Sequence, residues 1–125
     1  MGGRTYIETS MVSYVTARPS RDLVAAAHQQ ISLDWWEHRR ADFELCTSQL
    51  VVDEAQRGDP EMVRRRLGIL KGIPLLEVTD AAQELAVSIV QGGLLHQAAF
   101  PDALHIAIAT THQVDYLLTW NWRRG

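Results

Sequence analysis

The chain has 125 residues, of which 46% are hydrophobic and 22% charged, with a formal net charge of −3. That length suits one domain of about 100–150 residues with a proper core. The acidic balance excludes a generally basic nucleic-acid binder, and no uncharged run approaches the roughly 18 residues of a membrane helix.

"MGGRTYIE" lacks the apolar stretch of a secretory signal, so no membrane partner is expected. The one cysteine, Cys46, has no internal disulfide partner and reads as a small buried residue in "FELCTS". This suits a reducing, cytoplasmic setting.

In chain order, Thr5–Glu8 reads as a strand, and Ser10 or Thr9 as the cap of a short helix ending before Pro19. Ser20 then opens a longer helix to about Arg40, with Leu23, Ala27, Ile31 and Trp35 recurring every four residues. Phe43–Thr47 is a second strand. Ser48 caps a helix through about Arg57 that Gly58 stops, and Asp59-Pro60 starts another.

"IPLLEVT" is a third strand, and Thr79 or Asp80 opens a helix that runs out at Gly92-Gly93. "FPDALHIAIATTHQ" reads as a helix with Pro101 in its first turn, and "DYLLT" as a fourth strand. Strands separated by helices predict an α/β fold, a three-layer α/β/α sandwich around a parallel sheet. Sites in such sheets lie beyond the carboxyl ends of the strands.

Four oxygen donors stand where packing alone does not ask for one. Glu8 ends the first strand, Glu54 follows the apolar "QLVV", Asp102 follows Pro101 on an apolar helix, and Asn121 follows "LLTW". If the first and fourth strands are neighbours, the two helix acids converge on their ends. Clustered carboxylates repel unless a counter-charge joins them. Mg²⁺ or Mn²⁺ takes oxygen ligands and retains waters, and such an ion serves hydrolytic attack on a phosphodiester. Thr9, Ser10 and Thr119 are placed to orient the carboxylates by hydrogen bonding.

Each residue also has a plainer reading. Asp102 complements a helix dipole, Glu54 and its neighbour Asp53 are ordinary solvated helix acids, Asn121 is a turn residue, and Glu8 pairs with Arg4. The order and placement of all four carry the argument.

"YIETSMVSY", "SQLVVDEAQRG" and "PDALHIAIATTHQVDYLLTWN" resemble the successive motifs of the PIN-domain family, in particular its small bacterial VapC-type toxin-like branch. The match spans nearly the whole chain, and its last segment is the most specific. The resemblance implies a compact α/β/α, Mg²⁺- or Mn²⁺-dependent endoribonuclease acting on RNA. It also implies the toxin of a type II toxin–antitoxin pair, with an antitoxin protein as partner and a homodimer as a common assembly.

By position, the resemblance places metal ligands at Glu8, Glu54, Asp102 and Asn121, and supporting hydroxyls at Ser10 and Thr119. Asp53 faces away. The family usually has Asp at the Glu8 position and often Asp at the Asn121 position; both departures weaken or displace the metal. The chain stops at "NWRRG", where relatives commonly continue, so a single domain over residues 1–125, cut short at its C-terminus, is expected. These departures leave an alternative: an inactive PIN-like module that binds RNA or a protein.

Other features point elsewhere. His28 and His38, or His105 and His112, lack the spacing of a zinc pair, and His105 reads as a hydrogen-bonded core residue. Of 12 basic residues only Lys71 is a lysine; the arginines cluster at 39–40, 64–66 and 123–124. The triple run reads first as a solvated helix face, although arginine forks also bind phosphate. Trp35-Trp36 offers aromatic anchors of the kind that dominate interfaces, with at least one ring expected inside. Trp120 and Trp122 suit closure of the domain's rim better than base stacking. Phosphatases of the aspartyl-nucleophile type want an Asp where Ser10 stands, and receiver domains want a late lysine; both fit poorly.

Overall fold

A computed structural model of the chain describes residues 2–93 and 99–121. Trp122, Arg123, Arg124 and most of "NWRRG" lie outside the described residues.

Strand β1 (Arg4–Ile7) buries Thr5, Tyr6 and Ile7, and so reads as a near-continuous apolar run rather than an alternation. It pairs in parallel with β2 (Glu44–Ser48) on one side and β4 (Tyr116–Leu118) on the other. The short β3 (Leu75–Leu76) completes a four-stranded parallel sheet in the order β3-β2-β1-β4. Its edges are the wettest part: Leu75 and Tyr116 are exposed.

Six α-helices accompany the sheet among the described residues: α1 (Thr9–Thr16), α2 (Leu23–His38), α3 (Gln49–Ala55), α4 (Pro60–Leu70), α5 (Asp80–Gln91) and α6 (Phe100–Thr111). The chain steps one way from β1 through β2 to β3, then returns to place β4 on the far side of β1. Right-handed crossovers put α1–α4 on one face and α5–α6 on the other. Packing of α1 against α2, α3 and α4, and of α5 against α6, agrees. The fold is therefore the expected three-layer α/β/α sandwich. The strand order reverses between β1 and β4, the place where sheets of this kind bind ligands. No described helix is long and apolar enough to cross a membrane.

Local chemistry explains most boundaries. Ser48 accepts from Val51 N–H and starts α3; Gly58, at φ +98°, turns the chain before Asp59 caps α4 with Pro60 in its first turn. Thr79 caps α5. The α2 cap differs from expectation: it is Asp22, which accepts from Ala25 N–H, while Ser20 Oγ accepts from Asp22 N–H.

The inward face of α2 also differs. Leu23 is 85% and Ile31 56% exposed, and Ala27 is exposed too, whereas Ser32 is fully buried. Trp120 explains the turn of this helix: its indole N–H needs an acceptor and finds Ser32 Oγ at 2.8 Å. The ring also stacks on His28, centroids 4.0 Å apart, and meets Tyr14 edge-on. Trp120 thus closes the rim as expected. Of the tryptophan pair, Trp35 stacks on Phe43 while Trp36 lies under the Arg40 guanidinium.

Candidate metal centre

Strand pairing sets the first acid. Register matches Ile7 with Leu118, and the next backbone rung, Glu8 N–H to Leu118 C=O at 3.1 Å, carries the pairing one residue past β1. Glu8 is therefore delivered to the junction of β1 and β4, only 3% exposed. It stands at the N-cap position of α1, but its side chain makes no cap bond.

Neither Ser10 nor Thr9 caps α1; both lie inside its first turn and turn their hydroxyls to carboxylates instead. Ser10 Oγ and Thr119 Oγ1 each donate to Glu8 Oε1 at 2.5 Å. Ser10 Oγ in turn accepts from Trp120 N–H at 2.8 Å, and Thr119 Oγ1 accepts from Asn121 N–H at 2.9 Å. Arg4, the plainer partner for Glu8, is engaged elsewhere: its guanidinium donates to His112 C=O.

Helix α3 supplies the second acid. Val51 and Ala55 face the core, which turns Glu54 toward β1 and leaves Asp53 outside, accepting from Gln49. Glu54 Oε1 accepts from the Thr9 hydroxyl and lies 2.8 Å from His105 Nε2. Burial alone would raise the Glu54 carboxyl, but hydrogen bonds from His105 and Thr9, with the charges of His105 and Arg57, outweigh it and hold the group below its ordinary value. Glu54 is an anion at neutral pH.

The third member is one that sequence reasoning left in the core. His105 is indeed buried and hydrogen-bonded, but its ligand atom and those of Glu8 and Glu54 all lie within 4.8 Å of one another. Nε2 is 3.8 Å from Glu8 Oε2. The other ring nitrogen, Nδ1, is 2.8 Å from the Tyr6 hydroxyl, which is 2.7 Å from Ser48 Oγ. Burial pushes the Tyr6 phenol well above its ordinary value, so it keeps its proton.

The arrangement that leaves no hydroxyl idle runs one way. Ser48 accepts from Val51 N–H and donates to Tyr6; Tyr6 donates to Nδ1; Nε2–H donates to Glu54. The available signal in the sequence was a lone polar residue on the buried face of an apolar helix, which needs a partner.

Two expected ligands stand differently. Asp102 is half-buried in the first turn of α6, one turn before His105 on the same helix face, but outside the tight trio. Asn121 is exposed and reaches Glu8 Oε2 through its amide nitrogen at 3.4 Å. Its oxygen is not the atom turned to the acid.

The donor chemistry fits a divalent cation at Glu8 and Glu54. Hydroxyl donors fasten one oxygen of each carboxylate, and Glu54 Oε2 has no hydrogen-bond partner among the described residues. Each acid is thus held in orientation with a second oxygen to offer, the usual arrangement of outer contacts around a metal. No family model matches the chain, and no curated protein does either.

Proposed function

We propose that this chain is a divalent-metal-dependent endoribonuclease of the PIN kind, the toxin of a type II pair, with RNA as substrate and a cognate antitoxin as protein partner. One observation carries the reading: two oriented carboxylates meet where the strand order reverses, the place where α/β sheets bind ligands. Glu8 and Glu54 would hold Mg²⁺ or Mn²⁺. A cation there supplies charge neutralisation at a phosphodiester and a more acidic water.

The chain's own groups do the positioning. Ser10 and Thr119 hold Glu8; Thr9 and His105 hold Glu54. Asp102, one turn from His105, is available to accept a proton or to bind an outer water. Asn121, which is exposed, would donate an amide hydrogen to a phosphate oxygen.

A second reading has its own support. Asp102 stands outside the trio and Asn121 presents nitrogen, so an inactive module that binds RNA or protein keeps a place. Total cellular RNA, with and without Mn²⁺, separates the two without requiring the right transcript in advance. The parent is expected to cut it in Mn²⁺ and to stop on chelation. Glu8→Gln should lose at least roughly a hundredfold, and Asp102→Asn about tenfold, as for an outer-contact residue. Intact RNA with Mn²⁺ bound to the parent would leave the binding module as the answer.

A further inference from the structure

We propose that His105 is itself a metal ligand, so that the site takes a transition-metal dication, with Mn²⁺ as the probe, in preference to Mg²⁺. The proposal rests on the metal-site reading above and adds a ligand to it.

Geometry comes first. Two atoms bound about 2.1 Å from one ion lie about 3 Å apart at right angles and about 4.2 Å apart across it. Nε2 is 3.8 Å from Glu8 Oε2, inside that span, and 2.8 Å from Glu54 Oε1, a little under its lower end.

Burial comes next. His105 is 3% exposed on a helix whose other inward residues are Ala103, Leu104, Ala107, Ile108 and Ala109. Packing asks for no imidazole there, and a buried ring needs both nitrogens engaged.

The hydroxyl pair behind the ring supplies the means. Without metal, Nε2 carries the ring proton toward Glu54. Tyr6 can accept from Nδ1 and turn its own proton to Ser48 Oγ, so the pair admits the other tautomer, with Ser48 then acting toward Tyr6 and Val51 N–H as acceptor alone. With the single ring proton moved to Nδ1 and donated to Tyr6, the Nε2 lone pair faces the two acids. Neutral imidazole is the form that binds metals. A neighbour fixing the opposite nitrogen is the usual companion of a metal-bound histidine.

The donor set then selects the ion. Mg²⁺ favours all-oxygen surroundings and keeps its waters, whereas imidazole suits transition metals.

The test titrates Mn²⁺ and Mg²⁺ separately into the parent and into His105→Gln by calorimetry. The Mn²⁺-loaded parent is also measured by pulsed electron paramagnetic resonance. The expected spectrum carries the nuclear modulation of a directly coordinated imidazole nitrogen. His105→Gln should lose roughly tenfold or more in Mn²⁺ affinity, and more than it loses in Mg²⁺ affinity. Glu54 orientation serves both ions, but the nitrogen ligand serves only the first.

Mn²⁺ bound with no nitrogen modulation would overturn the proposal, leaving His105 a donor that orients Glu54 and the metal site intact. No Mn²⁺ bound by the folded parent would remove both this proposal and the metal-site reading. Should His105→Gln fail to fold by circular dichroism, the parent's spectrum decides alone.

Discussion

Two regions of this protein reverse the usual distribution of residues. Behind the acids, Tyr6, Ser48 and His105 form a polar chain in the deepest layer, each 3% exposed or less. On the outer face of α2, Leu23, Val24 and Ile31 stand 85%, 65% and 56% exposed. The polar chain is stable because every member has a partner; no buried side-chain nitrogen or oxygen lacks one among the described residues. The apolar stripe tolerates water because scattered exposed aliphatics cost little. Partnering, rather than polarity, decides which side chains this fold accepts inside.

That contrast can be broken in order of effect. Tyr6→Phe keeps shape and volume but leaves His105 Nδ1 without its partner and Ser48 with only Val51 N–H. Urea unfolding should show a loss of about 1–3 kcal/mol, the cost of stranding buried polar groups. A loss near zero would mean that the chain contributes nothing beyond packing.

A smaller effect follows from Glu54. Its folded-state value is depressed, so unfolding takes up a proton below the ordinary glutamate value of about 4.3. The stability this group contributes is therefore present above that value and is lost as pH falls through the lower folded one. Unfolding midpoints of the metal-free protein between about pH 5 and 3 should fall less steeply in Glu54→Gln. Equal slopes would refute the assignment.

The smallest change is expected on α2. Ile31→Ser should alter stability by no more than about 0.5 kcal/mol, as for surface sites free of special features. A clear loss, seen with a change in mass by light scattering, would show that the stripe is covered in solution.

Much of this was legible in the residues. Alternating strands and helices gave the sandwich, and caps at Ser48, Asp59 and Thr79 placed three helices because their side chains act locally. The meeting of Glu8 with Glu54, and their support by Thr9, Ser10 and Thr119, followed once the ends of β1 and β4 were taken as neighbours.

What was not legible depends on three-dimensional partners. Two α2 residues, His28 and Ser32, face inward because an indole 88 residues from Ser32 needs an acceptor, and no four-residue spacing reports that. His105 joins the acids through α3, 51 residues away from Glu54. Thr9 and Ser10 looked like caps because hydroxyls at helix starts usually are; here two carboxylates outbid the backbone for them.

The register of β4 has a consequence for the order in which the protein comes into being. A chain made from its N-terminus holds Glu8, Glu54 and His105 before it holds Thr119, the hydroxyl 111 residues along that fastens Glu8. Until β4 slides in beside β1, the first acid lacks one of its two hydroxyl anchors. Such distant pairings form late, after the local helices. The first acid is therefore fully anchored only after the fourth strand has paired with the first.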